Sequence, residues 1–75
     1  MLFPSKFTNF EESIIAKMIL ILELKERKSI AINLLYLELE KKFDNIDEFI
    51  FALDALFALG YIEIKNEDLI YVNRN

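Results

Sequence analysis

The chain has 75 residues, 55% of them hydrophobic, a formal net charge of -4, and neither Cys nor His. That length makes one small domain with a marginal core, and the missing residue types exclude disulfides, thiolate and imidazole catalysis, and the usual zinc ligands. The charge is uneven: residues 1–42 hold seven Lys or Arg against six Asp or Glu, whereas residues 43–75 hold two against seven, so the C-terminal half lacks the cations that neutralise nucleic-acid phosphates.

The chain opens with Met1-Leu2-Phe3-Pro4-Ser5-Lys6-Phe7. Pro4 pushes Phe3 toward an extended conformation, and residues 1–7 are expected to form an arm whose Leu2, Phe3 and Phe7 dock on the domain or a partner. Thr8 and Glu11 have the spacing of a capping box, which predicts a first helix from Asn9 to Glu26. Phe10, Ile14, Met18, Ile21 and Leu22 follow helical spacing, while Ile15, Ile19 and Leu24 fall outside that stripe, so the helix is apolar over much of its circumference. Ser29-Ile30-Ala31 fits a short strand or a turn. Asn33 is a suitable N-cap for a second helix over Leu34–Phe43, with Leu34, Leu35, Leu37, Leu39 and Phe43 apolar and Glu38–Lys42 spaced for a surface ion pair.

Asn45 and Glu48 repeat the capping-box spacing and open a third helix over Ile46–Leu59. Its core face is expected to be Phe49, Leu53, Leu56 and Phe57, with Ile50 beside it; the opposite side carries Asp47, Phe51, Asp54, Ala55 and Ala58. Gly60 is the only Gly in the chain and is positioned to end that helix in left-handed conformation. Tyr61–Lys65 and Leu69–Asn73 alternate as two antiparallel strands around an Asn66-Glu67-Asp68 turn. The expected fold is α+β and winged helix-turn-helix-like: three helices followed by a two-stranded β-hairpin wing, in a single domain over residues 1–75 with its arm.

No catalytic set emerges. Ser5, Ser13 and Ser29 have no His to activate them. Glu11-Glu12, Asp47-Glu48 and Glu67-Asp68 are adjacent pairs that do not share a helix face. A single Gly cannot build a phosphate-cradling loop. The expectation is a protein that is not an enzyme and takes no cofactor, metal or small-molecule substrate. The run Ile14–Leu22 contains Lys17 and is about half the length of a membrane span, and Phe3-Pro4-Ser5-Lys6 breaks any leader-like N-terminus, so no membrane association and a cytoplasmic location are expected.

In a DNA reader the third helix would carry Arg and Lys for base edges and phosphates. From Phe43 to Tyr61 there is none, whereas Asp44, Asp47, Glu48 and Asp54 are acidic. Tyr61 and Tyr71 could stack on bases, but Glu63, Glu67 and Asp68 share their hairpin, and stacking of that kind accompanies a positive groove. Direct, specific DNA binding is therefore not expected. Phe51, on the polar side of the third helix, is expected to anchor a protein contact, with Ala55 and Ala58 admitting a close neighbour and Asp54 accepting a hydrogen bond.

Two segments resemble a known family. Leu2-Phe3-Pro4-Ser5-Lys6 is similar to its N-terminal signature, and Phe51-Ala52-Leu53-Asp54-Ala55-Leu56-Phe57-Ala58-Leu59-Gly60 followed by Tyr61-Ile62-Glu63 to its C-terminal one. The family is the small middle component, sixth class, of ABC-three-component systems, similar to the small subunit of Lamassu anti-phage defence systems. Phe7 stands where relatives often have His, so no role of such a His carries over. The resemblance implies a winged-helix-like adaptor subunit without catalysis, which joins an SMC-like ATPase to an effector, often a nuclease, and helps hold the effector inactive. The alternative is a winged-helix DNA-binding transcriptional regulator acting as a dimer.

Overall fold

The computed structural model describes the backbone of residues 5–72 and the side chains of residues 13–72. In chain order the elements are α1 (Ser5–Leu22), a 3-10 turn (Lys25–Arg27), β1 (Ser29–Ala31), α2 (Ile32–Leu39), a second 3-10 turn (Glu40–Lys42), α3 (Ile46–Ala58), β2 (Ile62–Lys65) and β3 (Asp68–Tyr71). This is an α+β, winged-helix-like arrangement in which the antiparallel sheet has three strands in the order β1-β3-β2. The hairpin wing recruits Ser29–Ala31 as its third strand, with Ile30 opposite Leu69 and Ile64 opposite Leu69 on the other side.

Several boundaries differ from the periodicity. The backbone of α1 is already helical at Ser5, so residues 5–7 of the expected arm belong to the helix and Thr8 and Glu11 lie inside it, not at its start. Leu2 and Phe3 lie outside the described residues. The α2 helix begins at Ile32 behind Ala31, which makes no side-chain cap, so Asn33 is within the helix. It also ends at Leu39, earlier than its apolar pattern, because residues 40–42 tighten into a 3-10 turn. The expected Glu38–Lys42 pair spans that change of geometry, and Glu38 instead receives both guanidinium nitrogens of Arg27, at 2.7 and 2.8 Å.

The cap of α3 forms as the spacing suggests: the Glu48 backbone N–H donates to Asn45 Oδ1 at 2.9 Å. Its other end closes on Gly60, which takes φ 84°. The Gly60 N–H donates to the Phe57 carbonyl at 3.1 Å and the Tyr61 N–H to the Leu56 carbonyl at 2.9 Å, the paired bonds of a Schellman motif. The hairpin needs no second Gly. Its loop is only Asn66-Glu67, since Lys65 pairs with Asp68, and Asn66 adopts φ 58°, a region Asn tolerates.

The core is one cluster. It contains Ile21 from α1, Leu35 and Leu39 from α2, Phe43, then Phe49, Ala52, Leu53 and Leu56 from α3, and Ile62, Leu69 and Tyr71 from the sheet. Phe49 sits at its centre, edge-on to Phe43 with centroids 5.3 Å apart and tilted against Tyr36 at 4.9 Å. Tyr71 fastens the wing to α1: its buried hydroxyl donates to the Ile21 carbonyl at 2.7 Å, one of the final carbonyls a helix leaves without an intrahelical donor. Burial pushes its pKa from 10.0 to about 12.

Two outcomes follow from these closures. Gly60→Ala places a Cβ in left-handed backbone and should cost about 1–2 kcal/mol, read as a lowered denaturation midpoint. Tyr71→Phe removes the donor to Ile21 and should cost about 1 kcal/mol at neutral pH. Below pH 10 the phenol keeps its proton in folded and unfolded chains alike. As pH rises toward about 12, the unfolded chain ionises first and the protonated-form advantage is lost. The stability difference between wild type and Tyr71→Phe should therefore shrink across that window in thermal melts.

Candidate functional site

Among winged-helix elements, α3 occupies the place of the helix that enters a DNA groove. Asn45 and Glu48 fix where it starts, Gly60 fixes where it stops, and its packing fixes which side faces out. At about 100° per residue, Phe49, Ala52, Leu53 and Leu56 form the inward arc, and all four are buried. Hydrophobic periodicity assigns Phe57 and Ile50 to the core, but Phe57 is 53% exposed and Ile50 44%. Ala52, at 0%, takes the inward position instead. It lies one turn beyond Glu48, whose carboxylate is bound by α1 side chains, and α1 packs along α3. A helix apolar on most of its circumference leaves this rotation undetermined in sequence.

The exposed arc of α3 has an internal order. Ile46, Ile50 and Phe57 fall within about 40° of one another, and Ile46 is also half-exposed. Beside them run Asp47 and Asp54, then Ala58 and Phe51, all exposed. An acidic stripe thus lies between two apolar rows. Of the expected contact residues, Phe51, Asp54 and Ala58 lie on this arc and Ala55 is half-buried at its edge. Leu2 and Phe3 are outside the described residues, and Phe7 falls in α1 where only the backbone is described. Ile46, Ile50 and Phe57 join the surface although their apolar character alone marks them as core. The one signal in the sequence is their i, i+4, i+11 spacing next to Asp47 and Asp54.

Glu48, Lys17, Arg27 and Glu38 are engaged in holding the fold. Glu48 Oε1 accepts from the Asp44 N–H at 2.9 Å, Ser13 Oγ donates to Oε2 at 3.2 Å, and Lys17 Nζ stands 3.5 Å from Oε1. The Asp44 hydrogen bond, helped by Lys17 and Ser13, holds the Glu48 carboxyl below its usual pKa against the opposing effect of burial. Lys17 also lies 5.6 Å from the centre of the Phe43 ring, within cation–π range. Arg27, which with Lys25 and Lys28 makes the segment between α1 and β1 basic, is bound to Glu38 through both nitrogens; that hydrogen bond raises the Arg27 pKa and lowers that of Glu38. A shallow groove of about 270 Å³ runs along Ile14, Asp44, Asn45, Asp47, Glu48 and Phe51. Its described lining offers carboxylates and an amide, and the neighbouring Lys17 is paired with Glu48.

No described helix is long and apolar enough to cross a membrane, and among the described residues no group of three or more acidic side chains gathers as a metal site. No curated protein and no solved structure matches the chain significantly. A family model does: that of the ABC-three component (ABC-3C) system Middle Component 7, over residues 3–71. The class is thus Middle Component 7, where the short motifs resemble the sixth. With that match running from the segment before α1 to the end of β3, the chain belongs to the Middle Component 7 family of ABC-three component systems.

Proposed function

We propose that this middle component is a non-enzymatic adaptor that works through protein contacts made by the outer arc of α3. It joins an SMC-like ATPase to an effector nuclease in a cytoplasmic, Lamassu-like anti-phage complex and helps hold the effector inactive. The observation carrying this reading is the chemistry of α3: the helix positioned to read DNA carries no Lys or Arg and exposes Ile46, Ile50 and Phe57 beside Asp47 and Asp54. A phosphate backbone repels such a surface, whereas half-exposed aromatic and aliphatic side chains are what protein interfaces cover. Phe51, Asp54, Ala55 and Ala58 extend the contact toward α1, and Leu2, Phe3 and Phe7 supply a second anchor at the start of the chain.

Phe51→Glu should leave the isolated chain folded and monodisperse but weaken its co-purification with the other two components, by about 30-fold in affinity if Phe51 is an anchor. Normal assembly would remove Phe51 from the interface. Deleting residues 1–7 should likewise weaken assembly or stability; a truncated chain that melts and assembles like the intact one would make the arm dispensable. In a mobility-shift assay at low salt, where electrostatic binding is strongest, the chain should form no specific complex with duplex DNA. A sub-micromolar, sequence-selective complex would instead favour a dimeric transcriptional regulator.

A further inference from the structure

The acidic stripe on α3 specifies the chemistry of what covers it. Asp47 and Asp54 are seven residues apart, hence about 10.5 Å along one side of the helix. Among the described residues neither makes the ties that Glu48 makes, and α3 has no basic residue of its own. Ile46, Ile50 and Phe57 lie on one side of the pair and Phe51 on the other.

Resting on the adaptor reading, we propose that this arc docks a helix of another component of the same system, one that carries Lys or Arg at i and i+7 with apolar residues on both flanks. The spacing selects a helix over a strand. Positions seven apart on a helix repeat at about 10.5 Å on nearly one side, whereas same-face positions on a strand recur every ~6.8 Å and miss one of the two carboxylates. The charge selects a different chain over a second copy. Two copies packed through this arc would bring four aspartates together with no cation on either helix, and like charges across an interface oppose association. The apolar rows supply the buried area, and the central carboxylates set register and exclude acidic partners.

The test is co-expression of the tagged chain with the other two components, with pull-down across a salt series, for wild type, Ile50→Glu/Phe57→Glu and Asp47→Lys/Asp54→Lys. Circular dichroism melts of each isolated variant control for folding. The proposal expects both double variants to stay folded and to lose at least about 30-fold in affinity, and expects wild-type assembly to weaken as salt screens the carboxylates. If the glutamate variant fails to assemble while the lysine variant assembles as well as wild type, α3 is a docking surface but its partner is not basic, and this proposal is overturned with the adaptor reading intact. It is overturned equally if neither variant weakens assembly, since another face then makes the contact. If light scattering finds the isolated chain dimeric and Ile50→Glu/Phe57→Glu makes it monomeric, a second copy occupies the arc and the proposal fails. If wild type does not co-purify with the other components at any salt, the adaptor reading falls and takes this proposal with it.

Discussion

The turn at Gly60 is the constraint on which the arrangement depends. Its backbone, at φ 84°, allows the Phe57 and Leu56 carbonyls to be capped by the N–H groups of Gly60 and Tyr61, so α3 passes into β2 through a three-residue turn, residues 59–61. The first residue of that strand, Ile62, is therefore delivered to the same core as Leu56. The hairpin then has one way to bury its alternating face: Leu69 and Tyr71 follow Ile62 inward, β1 adds to the outer edge of β3, and the Tyr71 hydroxyl reaches the end of α1. Any residue with a Cβ at position 60 would strain the one point where helical and extended halves meet.

The same closure leaves α3 with more apolar surface than the core can cover. Its inward arc is filled by Phe49, Ala52, Leu53 and Leu56, and α1 packs alongside it. Ile46, Ile50 and Phe57 are consequently left facing out. Ile15 and Ile19 on α1 and Leu34 and Leu37 on α2 are also exposed. Single exposed apolar side chains are ordinary; here Ile46, Ile50 and Phe57 form an ordered row on the helix that other winged-helix proteins use for recognition.

Charge has divided in parallel. Glu48 ties α3 to α1 through Ser13 and Lys17 and closes the Asp44 turn, while Arg27 and Glu38 join the segment after α1 to α2. These groups hold elements in place. Asp47 and Asp54, on the outward side, do not share those ties and give the exposed arc its sign. By family, the chain is one component of a three-component system and works with the others.

Local signals in the chain were enough for the third helix, its two ends and the hairpin, but not for the ends of α1 and α2. Asn45 with Glu48, the single Gly60, and the alternation around Asn66 each act over a few residues, so α3, its stop and the hairpin could be read from the sequence, as could the lack of cations on α3. Other features required the assembled chain. Ser29–Ala31 becomes a strand only because β3 is there to pair with it. Glu38 binds Arg27, and not Lys42, because α2 changes geometry after Leu39. Above all, the rotation of α3 was hidden. With apolar residues on most of its circumference, periodicity favoured the bulky Phe57 and Ile50 as core, whereas Ala52 is the residue that is fully buried. The sequence by itself determined what the outer arc lacks, because the absence of Lys and Arg needs no neighbours to be true. Which residues form that arc was decided by tertiary packing, because a helix can turn only one of its apolar sides inward and its neighbours select which.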